Sequence, residues 1–207
     1  MRALDRAVIL RSVIRRAAAL ALALTLVAAC GGSAYNGKSS ATPDPNAFLA
    51  APSNQRAMAG LLDKDGKAVG SATLSEDRVG VRIDLRVTNL PEGKHGVHIH
   101  AFGRCEGPDF TTAGGHYNPL GKVHGTLTTT GPHAGDLGNL EVKKDGTGLL
   151  SYVSPHLSLA PGAATNPAAA GLAIVIHEKE DDQKTDPSGN SGNRIACGVL
   201  KLLPPPV

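Results

Sequence analysis

The chain has no tryptophan, and only three phenylalanines and three tyrosines in 207 residues. Large rings cannot fill a core here, so the core must be valine, leucine, isoleucine and alanine. Between residues 56 and 203 no stretch carries the 3.6-residue apolar period of an amphipathic helix, which argues against a helical bundle. Clustered positive charge is also missing. The net charge is +3, but five of the arginines and Asp5 lie in the first 29 residues. Without that segment, 16 basic residues face 17 acidic ones, a net of −1. Nucleic-acid-binding surfaces carry clustered lysine and arginine, so that class is excluded. Long apolar runs are absent too. The most apolar stretch, Ala17 to Ala29, has 13 residues, too few to span a bilayer as a mature helix.

That stretch fits a signal peptide over 1–29 instead. Arg2, Arg6, Arg11, Arg15 and Arg16 form its basic start. It ends in Val27-Ala28-Ala29-Cys30, which resembles the lipobox of bacterial lipoproteins, with Cys30 lipidated. The plainer alternative is an ordinary signal peptide with a chance cysteine. Residues 30–55 are rich in Gly, Ser, Ala, Pro and Asn and read as a flexible tether. One domain follows over 56–203. The expectation is an extracytoplasmic, membrane-anchored lipoprotein, in the periplasm or at the cell surface. Cys105 and Cys197 are then left as a pair. Outside the cytoplasm they are expected as a disulfide, with two buried free thiols as the alternative. The bond would close a loop of about 90 residues, contributing on the order of 4–5 kcal/mol in the chain-entropy picture.

The domain reads as all-β. Val79, Val81, Ile83, Leu85 and Val87 alternate with Gly80, Arg82, Asp84 and Arg86, the period-2 pattern of a half-buried strand. Asp65-Gly66 and Asp145-Gly146 mark hairpin turns. Further strands are expected near 57–63, 68–74, 95–101, 123–129, 137–143, 147–153, 172–177 and 195–202. Long loops are expected near 102–122, 154–171 and 178–194, and loops of that length are usually functional. About eight short antiparallel strands suggest a sandwich or barrel.

Histidine is what the chain does concentrate. Val97-His98-Ile99-His100 sits on an expected strand, so both imidazoles share one face. His177 ends the apolar run Leu172–Ile176 and can supply a third donor from a neighbouring strand. His116, His124, His133 and Asp136 follow at spacings of 8, 9 and 3 in glycine-rich sequence. Three histidines with one aspartate make a closed tetrahedral set of the structural zinc type. Seven donors exceed the need of one ion, so the set reads as two adjacent metals. Imidazole with little carboxylate suits zinc, copper, iron or nickel rather than magnesium or calcium.

Several segments in order resemble the signatures of copper/zinc superoxide dismutase: Gly96–His100, Ala113–Pro119, His133–Asn139, Val175–Glu178 and Arg194–Val199. The resemblance covers nearly all of 56–203 and implies a Greek-key β-sandwich or flattened barrel of about eight antiparallel strands with long metal-binding loops. It implies one copper per subunit on His98, His100, His116 and His177. It implies one zinc per subunit on His116, His124, His133 and Asp136, with His116 shared as a bridge. Asp181 would link the outer ring nitrogens of His98 and His124, although Asp182 beside it leaves that choice open. Arg194 would dock superoxide near an open copper position, and His116 would carry a proton. The implied reaction converts superoxide to oxygen and hydrogen peroxide by Cu(II)/Cu(I) cycling, protecting the extracytoplasmic compartment. Assembly stays open between monomer and homodimer.

The sequence departs from the family pattern in places. His116 stands eleven positions after Cys105, and Asp109-Phe110 between them has no clear counterpart. Ala101 stands after His100 where many members have glutamate, and no steering lysine can be placed in the 178–193 loop. No metal ligand is lost. Two other readings are a metal carrier of the same fold, which would be expected to lack a copper ligand or the arginine, and a two-metal hydrolase, which would need more carboxylates. His95 and His156 stand outside the set, His95 as a structural contact and His156 as a surface residue.

Overall fold

A computed structural model describes residues 54–204. The expected leader, Cys30 and the tether as far as residue 53 lie outside the described residues. Nine strands follow in order: β1 (Arg56–Asp63), β2 (Ala68–Asp77), β3 (Gly80–Val87), β4 (Gly93–His100), β5 (Asp136–Val142), β6 (Gly148–Ser154), β7 (Ala173–His177), β8 (Arg194–Val199) and β9 (Lys201–Leu202). All pairings are antiparallel, in the order β2-β3-β6-β5-β4-β7-β8-β1, and β1 pairs back onto β2. Eight strands therefore close into a barrel, and β9 continues beyond β8 along β1. The chain neighbours β3 and β4 are separated by β6 and β5, a Greek-key crossover.

Alternation builds the interior. In β3, Val81, Ile83, Leu85 and Val87 are buried while the arginines face out. Leu61, Leu74, Ile99, Leu140, Ile174 and Ile176 complete an aliphatic core, as the shortage of rings requires. Phe110 is fully buried, but in a small separate cluster with Ala113, Ala173, Val175 and Cys197.

β4 and β7 break the half-exposed pattern. Gly96–His100 and all of β7 are buried on both faces. One face meets the core through Val97, Ile99, Ile174 and Ile176. The other carries His98 and His100 under the loops that connect β4 to β5 and β7 to β8. The Cys105–Cys197 disulfide, with Cα atoms 5.6 Å apart, fastens the first of these loops to β8.

The expected strand at 123–129 does not form. Residues 101–135 make one long connection whose named element is a 3-10 turn at Thr111–Ala113. Gly121 and Gly125 have positive φ, which breaks an extended run. The Thr128 hydroxyl donates back to the Gly125 carbonyl at 2.8 Å, and the Leu127 amide donates to the Gln183 carbonyl at 3.2 Å. The segment is thus bonded to itself and to the neighbouring loop, and Leu127 is exposed. His95 is buried, its ring nitrogens 2.8 Å from the His177 carbonyl and 2.9 Å from the Pro91 carbonyl. His156 is half-buried, less open than a surface residue.

Candidate metal centre

The alternation of β4 puts His98 and His100 on one side of the sheet. β7 lies antiparallel beside it and delivers His177 at its end. An isolated bridge from His100 to His116 brings in the loop histidine. The donor atoms of His98, His100, His116 and His177 all lie within 4.8 Å of one another. His100 Nε2 and His177 Nε2 are 3.3 Å apart, and the His98 and His116 rings stack at 3.8 Å.

A second group adjoins through His116. Its Nδ1 lies 3.0 Å from Asp136 Oδ1, His124 Nδ1 lies 3.1 Å away, and His133 Nδ1 3.4 Å. A tetrahedral metal with bonds of about 2.0–2.1 Å has ligand–ligand edges of roughly 3.3–3.4 Å, so these separations suit one ion. His98 also falls within 4.8 Å of His116, His124 and Asp136 because the two groups touch. His133 fits the second group better, since its Nδ1 approaches Asp136 and has no hydrogen-bond partner.

Unsatisfied atoms point the same way. His98 Nδ1, His116 Nε2 and His133 Nδ1 are buried without a hydrogen-bond partner. Leaving a buried polar atom unpaired costs about 1–3 kcal/mol each. Three such nitrogens on adjacent imidazoles are accounted for if they are metal donors.

A carboxylate ties the groups together from behind. Asp181 Oδ2 is 2.7 Å from His98 Nε2, and its Oδ1 is 2.9 Å from His124 Nε2. Asn139 grips the Asp181 backbone at both ends, donating to its carbonyl and accepting from its amide at 2.8 Å. Gly189, at φ +63, leaves room for the carboxylate, because a Cβ there would fall on Asp181 Oδ1. Asp182 turns outward to Thr185, Lys184 and Asn190. Asn139 and Gly189 were not singled out in the sequence. Nor was Asp186, which accepts from the His124 amide at 2.7 Å.

A profile described as copper/zinc superoxide dismutase (SODC) matches residues 68–200. The chain belongs to the copper/zinc superoxide dismutase family. It is 41% identical over 145 residues to Superoxide dismutase [Cu-Zn] 1 of Aquifex aeolicus, covering 69% of this chain and 86% of that protein. It is 40% identical over 161 residues to Superoxide dismutase [Cu-Zn] of Deinococcus radiodurans, covering 70% and 84%. A crystal structure of a SOD-like protein from Bacillus subtilis, bearing two substitutions to histidine, is similar at TM-score 0.66 and 45% identity. That match covers 70% of this chain and 96% of the other.

The two halves of this dismutase-family centre differ in charge. Burial keeps the imidazoles of the first group neutral, lowering His98 to about 3, His100 to about 2 and His177 to about 4. Burial also acts on His124, but bonds to Asp136 and Asp181 outweigh it and raise that imidazole to about 9. Burial opposes ionisation of Asp136, yet hydrogen bonds from His116, His124 and the Gly125 amide, with the His133 ring close by, hold it well below the usual carboxylate range. Asp181 is lowered for the same kind of reason, by His124 and His98 against its burial.

Arg194 opens β8 opposite His177. Its guanidinium donates to the Phe110 carbonyl at 2.5 Å and the Gly114 carbonyl at 2.6 Å. The Gly114 carbonyl also lies 2.8 Å from His100 Nδ1, which couples the arginine to a histidine of the first group. Arg194 lines a cavity of about 580 Å³ with Lys64, Asp109, Thr111, Glu178 and Asn193. The lysine there comes from the β1–β2 turn. Its ammonium is paired with Asp65 at 2.9 Å, and the 178–193 loop contributes no lysine to the lining.

Proposed function

We propose that residues 56–203 form a superoxide dismutase that works outside the cytoplasm, anchored to a membrane through lipidated Cys30. His98, His100, His116 and His177 hold copper. His116, His124, His133 and Asp136 hold zinc. The observation that carries this reading is the position of His116, whose Nδ1 faces Asp136 while its Nε2 is buried and unpaired beside the other histidine group.

Bound copper supplies one-electron redox chemistry, so that one superoxide is oxidised to oxygen and a second is reduced to hydrogen peroxide. The chain's own residues supply the rest. Arg194 is a fixed positive charge at the cavity, oriented by two carbonyls, and it docks the small anion. His116 Nε2 is the atom placed to carry a proton to the reduced product, while its Nδ1 stays on the Asp136 side. Burial keeps His98, His100 and His177 unprotonated, which a metal-ligating imidazole must be. Asp181 fixes the orientation of His98 and His124 through their outer nitrogens. Asp136 and its three imidazoles form a closed set with no open position, the arrangement of a structural metal.

The test is superoxide consumption by the full chain loaded with copper and zinc. Turnover is expected, and Arg194→Ala should reduce both its rate and its salt dependence without stripping copper. Full copper loading with no turnover would favour a metal carrier and sink the enzyme reading. Cys30→Ser should release the protein from membranes, and a variant that stays bound would remove the lipid anchor.

A further inference from the structure

Among the described residues, no carboxylate hydrogen-bonds the guanidinium of Arg194. It donates to two backbone carbonyls, those of Phe110 and Gly114, which flank the 3-10 turn Thr111–Ala113. The position of the anion dock therefore depends on the shape of that turn. Phe110 has the left-handed conformation, φ 55 and ψ 23, which a non-glycine residue adopts only when its surroundings fix it. Its ring is buried with Ala113, Ala173, Val175 and Cys197, and Cys105 packs against the same cluster. Its amide donates to the Glu106 carbonyl at 3.1 Å, and its carbonyl accepts from the Ala113 amide at 3.1 Å.

The residue before it is less easily explained. Asp109 is exposed and lines the cavity with Arg194. A carboxylate at a mouth that admits an anion works against entry. Asp109 Oδ1 accepts from the Thr111 amide at 3.2 Å and from its hydroxyl at 3.0 Å, an Asx turn that starts the 3-10 turn. Thr111 thus engages the carboxylate near the arginine and ties it to the turn.

We propose that Asp109 is a positioning residue for Arg194: its Asx turn with Thr111 holds the Phe110 and Gly114 carbonyls where they orient the guanidinium. The proposal rests on reading Arg194 as the dock for superoxide. Asp109 therefore has two opposing effects on the reaction. Its charge repels the substrate, and its hydrogen bonds keep the dock in place.

The two effects separate by substitution in the full, metal-loaded chain. Asp109→Asn removes the charge and keeps an oxygen for Thr111, whereas Asp109→Ala removes both. Turnover is measured against ionic strength. Affinity for azide, an unreactive monovalent anion, is followed by the visible absorption of the bound copper. Asp109→Asn should raise kcat/KM at low salt, with the gain vanishing at high salt. At high salt, Asp109→Ala should weaken azide binding by about threefold or more, within the coupling range of residues in one hydrogen-bond network. In an Arg194→Ala background, Asp109→Ala should cause no further loss. The proposal is overturned if the two Asp109 variants match at high salt, or if Asp109→Ala weakens azide equally in both backgrounds. If Arg194→Ala itself leaves azide binding and turnover unchanged, the docking role of Arg194 fails first and the positioning role falls with it.

Discussion

The two halves of the metal centre hold their imidazoles by different means. On the side proposed for copper, three of four histidines sit on or at the end of barrel strands, in β4 and β7. Their backbones are fixed by sheet pairing, and burial, aided by the neighbouring imidazoles and Arg194, keeps the rings neutral. On the side proposed for zinc, His116, His124 and His133 lie in the 101–135 connection, outside the named strands. Their common partner is one carboxylate, Asp136, which also accepts from the Gly125 and His133 amides. A sheet thus organises the first half, and a buried charge organises the second.

The largest effect should follow from removing that charge. Asp136→Ala leaves His124 buried with one carboxylate fewer and frees two loop amides. Breaking a buried ion pair by removing one partner costs about 3–5 kcal/mol. The variant should lose zinc and melt at markedly lower temperature in chelator, while His98, His100 and His177 still take up copper. Metal stoichiometry and thermal melting check this. An unchanged metal-free melting temperature would mean that the carboxylate does not organise the loop. His98→Ala is the converse. It should abolish turnover and leave zinc in place, because the contacts of His116, His124 and His133 to Asp136 do not pass through it. Equal loss of both metals would show that the halves are not separable.

Next in size is the pH dependence of the metal-free protein. The three copper-side imidazoles have folded pKa values of about 2 to 4, below the ordinary 6.5 of the unfolded chain. The unfolded state therefore binds more protons in this window. Their contribution to stability is complete above about pH 6.5 and is lost as pH falls, at up to about 1.4 kcal/mol per pH unit for each ring. His124 has the opposite sign. Raised to about 9, it contributes fully below pH 6.5 and loses its contribution as pH rises through 9. Urea midpoints in chelator should fall steeply from about pH 6.5 to 4.5 and gently from 7 to 9. A flat profile on the acid side would remove burial as the factor that sets the copper-side rings.

The same division decides what could be read in the sequence. His98-Ile99-His100 declares a shared face because strand alternation is local, and the barrel's strands are legible for the same reason. The 101–135 connection has no such period. Its alternation of Val123, Gly125 and Leu127 with His124 and Thr126 imitates a strand, and only the positive φ of Gly121 and Gly125, together with bonds to Gln183, excludes one. The carbonyls of Phe110 and Gly114 that hold Arg194 are backbone groups, so no residue type signals them. Lys64 reaches the cavity from a hairpin 130 positions before Arg194, which only the closed barrel brings near. Asn139 stood within a recognised motif, but its grip on Asp181 spans 42 positions and depends on the fold.

The smallest expected effect concerns the two adjacent aspartates, which join or flank the halves. Asp181 spans them, with one oxygen on His98 and the other on His124, and is buried. Asp182 is exposed, and its bonds to Thr185, Lys184 and Asn190 shape only the outer loop. Its carboxyl is lowered to about 2 by the Thr185 hydroxyl and the loop amides. Asp181→Asn should loosen both metals, because losing an outer-sphere partner lowers metal affinity by about 10–100-fold. Asp182→Asn keeps an acceptor for the same amides and should leave both affinities within about twofold, since exposed substitutions away from special features change little. Competition with a chelator, run separately for copper and zinc, measures both variants. If Asp182→Asn weakens zinc as much as Asp181→Asn does, the outer loop takes part in organising the zinc side, and the buried carboxylates no longer suffice to account for it.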